Sequence, residues 1–443
     1  MARSESSKHH LSPKMLLAYG GISIPLAMTD VPIYLYLPVF YSREIGIDLA
    51  LVGLIFVLAR IWDGVTDPLI GWLSDKTPSR YGRRKPWVLL GTPLLMVSIW
   101  FVFNPSPDVG PMYAVIWLFC LFLSWTAVYI PYLSWGAELS IDYDGRSKVV
   151  AYREVGYMLG SVAVAAGPVL LLADDAPVRD VLLYLLVACF ILFPVSLVPM
   201  IATVPDLPHK VVSKLSVTKA LRLLSTNRPF RLLVMTLILA NLALGMLNSL
   251  AIFLVDEGLG LPGKFFTLFL IEYLCAILVS PLVLAAGRRF GKHWTLSGGL
   301  VMLSLALFIF AFGPRESFFF AASAIAILGV GFAALLLMPT AILADIVDYD
   351  TVASGEKRAG LFMAIFKFSS KVSMALSVGI AYGILDLIGF DAQGGNGEFG
   401  ILAIKSVGLG IPALFIIPGI LLMLRFPIGR KEHAEIRKKI EAM

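Results

Sequence analysis

The chain is 443 residues long, 58% apolar and 15% charged, with a mean hydropathy of +0.85. Soluble domains usually carry about 25% charged residues, and the apolar residues here fall in blocks of roughly 18–28, each long enough to cross a bilayer; this excludes a soluble protein, and without short alternating strands a membrane β-barrel is excluded too. The net charge of +6 does not point to nucleic acid, because the Lys and Arg are confined to short loops, where they report membrane topology.

Twelve spans are predicted, at 16–43, 49–74, 87–104, 112–140, 147–173, 181–203, 230–255, 264–287, 293–313, 318–346, 357–387 and 399–425. The residues before the first span are polar, with no signal-peptide core. In the first span, Asp30 sits beside Pro32, and Tyr34 follows; a carboxylate next to a proline suggests a broken or wet stretch of helix lining a cavity. The second span carries Arg60, Asp63, Thr66 and Asp67. A charge inside hydrocarbon costs roughly 3 kcal/mol or more. Asp63 and Asp67 are one turn apart on one face, with Arg60 a turn below. That arrangement fits a buried cation site in a membrane transporter; the competing reading is a salt bridge that only holds helices together.

The fourth span bears Trp125, Tyr129 and Tyr132 at i, i+4, i+7, with Thr126 among them. Such stripes are usually packing, but the neighbouring hydroxyl and Pro131 make Trp125 and Tyr129 candidate cargo contacts. Arg153 and Glu154 lie about two turns into the fifth span, Glu272 is in the eighth and Lys371 in the eleventh. Lys371 is too deep to snorkel easily, whereas Lys367 is nearer the end. Between spans, Asp75, Arg80, Arg83 and Arg84, with Glu138, Asp142 and Arg146, are candidate gate charges, and Arg60 is grouped with them.

The basic loops follow spans two, four, six and eight and recur in the tail, so both termini are expected to be cytoplasmic. The longest connection, 206–229, divides the chain into a half at 1–205 and a half at 230–443 with a short basic tail. Arg80-Tyr81-Gly82-Arg83 after the second span matches Arg289-Phe290-Gly291-Lys292 after the eighth, as expected of parallel six-helix repeats. Cys120, Cys189 and Cys275 have neither disulfide nor metal spacing. His9, His10, His209, His293 and His433 form no cluster, so an enzyme is not expected, and no phosphate-binding loop motif supports an ATP-driven pump.

The segment Arg60-Ile61-Trp62-Asp63 through Asp67-Pro68-Leu69-Ile70-Gly71-Trp72, then Tyr81-Gly82-Arg83-Arg84-Lys85-Pro86-Trp87, resembles the glycoside–pentoside–hexuronide:cation symporters of the major facilitator superfamily, the family of the melibiose permease. Ile130-Pro131-Tyr132, Tyr152-Arg153 and Ala344-Asp345-Ile346-Val347-Asp348-Tyr349-Asp350, followed by Lys371, extend the resemblance over nearly the whole chain. Vertebrate sodium-dependent lysolipid transporters share much of the pattern.

The resemblance implies an all-α major facilitator fold and a cation-coupled symporter working by alternating access. It implies that Asp63, Asp67, Thr66 and Thr126 bind the coupling ion. That ion is Na⁺, or a proton if burial keeps one acid protonated. It places Lys371 opposite the acidic pair and an Arg near Arg153 against cargo; read from the residues, Asp30, Tyr34, Trp125, Tyr129 and Glu272 are further candidate contacts. The sequence departs from the sugar permeases at Leu26 and Ala27, where they carry a Lys-Asp pair, at Tyr129, where they carry an acid, and at Leu133, where they carry a Trp. Each stranded sugar hydroxyl is costly. An anionic or amphiphilic organic solute is therefore expected, with lysolipid transport or flipping as the alternative. No cofactor, no nucleic acid partner and a monomer in the plasma membrane, a bacterial inner membrane by preference, complete the expectation; membrane lipid is the other partner.

Overall fold

The structure, a computed structural model, describes residues 11–77, 79–139, 143–172, 176–206, 223–355 and 358–441. Among the described residues, twelve helices are long and apolar enough to span a membrane: α1 (Pro13–Leu35), α2 (Leu49–Lys76), α3 (Lys85–Phe103), α4 (Pro111–Glu138), α5 (Lys148–Leu171), α6 (Val178–Thr203), α7 (Arg228–Gly258), α8 (Phe265–Phe290), α9 (Lys292–Phe312), α10 (Phe318–Ser354), α11 (Ala359–Ile388) and α12 (Gly397–Leu424). A short amphipathic helix, α13 (Arg430–Glu441), follows. The chain is an all-helical, multi-pass integral membrane protein. No backbone polar group can go unsatisfied in hydrocarbon, and an α-helix satisfies its own.

The residues fall into two compact units: Met1–Ile33, Leu58–Leu172 and Pro177–Val212, and Tyr34–Val57, Ala173–Ala176 and Ser213–Met443. In the first, α1 and α5 meet backbone to backbone. A Cβ on Gly156 would lie 2.2 Å from the Gly20 carbonyl oxygen, and one on Gly160 would lie 2.3 Å from that of Ile24. Small residues allow this approach, and dispersion then replaces a hydrophobic drive that lipid does not supply. α4 joins α1 through Tyr132, whose ring stacks on Tyr19 at 4.5 Å and whose hydroxyl donates to the Tyr19 carbonyl at 3.0 Å.

α2 shows how one helix serves two solvents. Leu58, Ile61, Val65, Leu69 and Trp72 form an exposed apolar face suited to lipid, while Ala59, Asp63, Thr66 and Ile70 are buried on the opposite face.

In the second unit, α8 packs closely on α10, where a Cβ on Gly329 would lie 2.7 Å from the Glu272 carbonyl oxygen. Of three π-helical turns among the described residues, Ser406–Gly410 lies within α12, and Phe40–Glu44 beyond α1 and Leu254–Gly258 ending α7 occupy corresponding places in the chain. Such turns re-aim side chains and often mark functional positions. Here the latter two present Arg43 and Asp256 to each other, with Nη1 donating to Oδ2 at 2.6 Å.

Two sequence expectations change in detail. Asp30 lies in unbroken helix running Ser23–Leu35 through Pro32, and the breaks fall at Ile22 and Tyr36 instead. α10 continues to Ser354 rather than stopping near 346, because Lys292 bonds Asp345 and Arg358 bonds Asp350, so its acidic end is neutralised. The matched tetrapeptides recur in geometry: Gly82 and Gly291 take φ of 102° and 106°, a conformation that only glycine adopts without strain.

Candidate functional site

The α2 carboxylates converge with α4. Thr126 Oγ1 lies 3.0 Å from Asp63 Oδ1 and 3.0 Å from Asp67 Oδ1. Arg60 Nη1 donates to Asp63 Oδ2 at 3.1 Å, and its guanidinium lies 4.4 Å from the centroid of the Phe122 ring. Asp63 and Thr126 are 0% exposed and Asp67 is half-buried. Thr66 is buried too, but its hydroxyl donates to the Asp63 carbonyl at 3.2 Å, the local bond a helical threonine commonly makes.

Two properties follow. A hydroxyl has one proton to donate, so Thr126 can serve only one of the two carboxylate oxygens at a time. A proton or a cation shared among these oxygens would stabilise the other close contact. A set of carboxylate and hydroxyl oxygens suits a hard ion and not a soft transition metal.

A second polar group lies on α1, α4 and α5. Tyr157 donates to Asp30 Oδ2 at 2.6 Å, tying α5 to α1. Tyr129 has Arg153, Asp30, Glu154 and Asp67 within electrostatic reach and stacks on Trp125 at 5.2 Å. Arg153 Nη2 bonds Glu154 Oε1, its own neighbour, at 2.5 Å, so this pair does not link two helices. Trp125 and Tyr132 are both buried, Tyr132 against α1, whereas Tyr129 between them is half-buried. Leu26 and Ala27 are 0% exposed, and a Cβ on Gly160 would lie 2.8 Å from the Ala27 side chain, so Ala27 is packed against α5. The carboxylate that α1 carries is Asp30, three residues beyond Ala27.

The charges between spans form a network on α2, α3 and α4. Arg84, 4% exposed, is its hub. It bonds Asp75, Glu138 Oε1 at 3.0 Å and Ser74 Oγ at 2.7 Å, and Arg83 adds a bond to Glu138 at 3.3 Å. Asp206 accepts from the backbone N–H groups of Arg84 and Lys85 at 2.7 and 3.1 Å, capping the start of α3. Arg60 is remote from this network in sequence and lies buried within α2. Asp142 and the side chain of Arg146 lie outside the described residues.

The remaining candidates belong to the second unit. Lys371 is half-buried, twelve residues into α11 and therefore about 18 Å along it; Lys367 is exposed. Tyr34 is half-buried and Glu272 is buried on α8 at the level of Gly329. Sequence reasoning missed Tyr157, Phe122 and Asp206. An aromatic inside an apolar helix carries no signal of its own, and Asp206 reads as ordinary loop.

The family described as MFS/sugar transport protein matches residues 18–430. The chain is 26% identical to the "Sodium-dependent lysophosphatidylcholine symporter 1-B" of Danio rerio, over 99% of this chain and 91% of that protein. It is 25% identical to the "Glucuronide carrier protein homolog" of Escherichia coli (strain K12), over 92% of each. The solved structure of the nucleoside transporter NupG superposes with a TM-score of 0.66 at 11% identity, covering 94% of this chain and all of that one, a likeness of fold: the twelve helices have the major facilitator architecture.

Proposed function

We propose, for a chain that belongs to the MFS/sugar transport protein family, that it is a secondary symporter coupled to Na⁺, which moves a small glycoside-like or anionic organic solute by alternating access. The carrying observation is the three-oxygen contact of Asp63, Thr126 and Asp67, in which one hydroxyl proton faces two carboxylates. A Na⁺ ion takes hard oxygen ligands, and these three side chains would supply them. The sodium-dependent relative supports Na⁺ over a proton as the driving ion. The six-helix halves at 1–205 and 230–443 would carry the motion, with basic loops on the cytoplasmic side. The chain would work as a monomer.

For the cargo, Tyr129, Trp125, Arg153 and Asp30 supply an aromatic surface with both signs of charge, and Lys371 a further cation. Leu26 and Ala27 in place of charged residues disfavour a neutral disaccharide. A second reading, transport of a lysolipid-like amphiphile, is favoured by the relatives named for lysophosphatidylcholine and by the same aromatic pair.

Heat release on titrating purified protein with Na⁺ at fixed ionic strength tests the ion site. Saturable binding that disappears in Asp63→Asn is the expected result. A stability response to pH in place of one to Na⁺, removed by the same substitution, would make the ion a proton; no response to either would reduce the pair to a structural salt bridge. Uptake into proteoliposomes of a glucuronide beside a lysophospholipid then separates the two cargo readings.

A further inference from the structure

On the second unit, at the end of α8, an open cavity of about 500 Å³ is lined by Pro281, Leu284, Ala285, Arg288, Arg289 and Arg430. We propose that this cavity binds one anionic glycerophospholipid of the leaflet on the side of the tail helix, with the phosphate held by the three arginines and an acyl chain lying along Pro281, Leu284 and Ala285.

The lining sorts by chemistry along one helical face. Pro281, Leu284, Ala285 and Arg288 recur at i, i+3, i+4, i+7, so an apolar strip about 6 Å long runs up α8 and ends in a guanidinium. All six lining residues are exposed, and the apolar three lie within a span, where the neighbouring medium is lipid tail. Arg289 adds a second charge and Arg430, the first residue of α13, a third, brought from a different element.

The charges lack an internal explanation. Several cations beside the spans are paired with carboxylates, Arg83 and Arg84 with Glu138, Lys292 with Asp345 and Arg358 with Asp350, while Lys76 and Arg80 lie over rings and Lys85 bonds a carbonyl. Among the described residues, no carboxylate pairs with Arg288, Arg289 or Arg430; Arg289 only lies over the Phe290 ring, 5.3 Å from its centroid. Glu432, the nearest acid along the tail, is turned to the Gly429 N–H at 2.9 Å. Three guanidinia around one cavity repel each other unless an anion joins them, and a phosphodiester offers the oxygens that guanidinium geometry fits. A basic pocket at the membrane interface beside an apolar strip favours a lipid phosphate over a free one, since only the lipid fills both parts. The site shares no residue with the Asp63 cluster and does not depend on the symporter reading.

The test uses the full-length protein in neutral detergent and native mass spectrometry, with phosphatidylglycerol and phosphatidylcholine of the same acyl chains as probes. Phosphatidylglycerol is expected to be retained at least tenfold more tightly. Each of Arg288→Gln, Arg289→Gln and Arg430→Gln is expected to weaken that retention about fivefold, the contribution of one basic residue at an anionic surface. Ala285→Trp keeps every charge and fills the apolar strip, and should weaken it as well. Each variant is first checked for a monodisperse elution profile; should an arginine variant fail that check, Ala285→Trp decides. Equal retention of the two lipids, retention unchanged in the arginine variants, or full competition by inorganic phosphate would overturn the proposal; the last would assign the cavity to a free anion.

Discussion

Replacing Thr126 by valine keeps the shape of the side chain and removes only its hydroxyl. That hydroxyl touches both α2 carboxylates at 3.0 Å and is fully buried, so no water takes its place. A hydrogen-bonding group directed at a charge is worth about 1.5–3 kcal/mol. If Thr126 is a ligand of the ion, Thr126→Val should weaken Na⁺ binding about 10- to 150-fold. Thr126→Ser keeps the oxygen and loses a methyl group. It should bind Na⁺ almost as tightly as the parent while losing about 1 kcal/mol of stability to the void. The assay is equilibrium binding of radioactive sodium to purified protein, with choline holding the ionic strength constant and thermal unfolding measured alongside. Parental affinity in the valine variant would refute the reasoning, since the ion would then bind without this oxygen. Equal weakening in valine and serine would refute it differently, by showing that packing and not ligation is at stake.

Tyr157→Phe deletes the 2.6 Å donor to Asp30; cargo KM should rise about tenfold with Na⁺ affinity unchanged, read from uptake kinetics. Arg84→Gln leaves Asp75 and Glu138 without their shared guanidinium and should cost about 3 kcal/mol, seen as a lower Tm in detergent. Arg43 and Asp256 are 31% and 15% exposed, so their pair is worth about 1 kcal/mol or less. Arg43→Asp should alter the rate of uptake with little change in Tm, and adding Asp256→Arg should restore that rate.

The fold was legible because spans are long and a membrane allows few alternatives. Asp63 and Asp67 were legible because charge is rare in that setting, so each one stands out. The partners that give the carboxylates their geometry were not. Phe122 and Tyr157 look like any aromatic in an apolar run, and only the approach of α4 to α2 or α5 to α1 reveals what they touch. The π turns were invisible for a different reason: one extra residue in a turn shifts the apolar face less than a hydropathy pattern resolves. The end of α10 was placed too early because counting apolar residues stops at the first acid, while Lys292 and Arg358 answer those acids from elsewhere in the chain.

The glycine seam between α1 and α5 has a mechanical consequence. With carbonyl oxygens standing where any Cβ of residues 156 and 160 would go, the two helices have no clearance to slide or roll against each other. They form one lever. Asp30 is fixed to one arm and Arg153 to the other, and the Tyr157 strut braces them further. If Asp30 and Arg153 contact cargo as proposed, a solute would meet the same chemical gauge from whichever side of the membrane it arrives. Any difference in its affinity between the two sides would then be set by groups that are free to shift, not by this pair of helices.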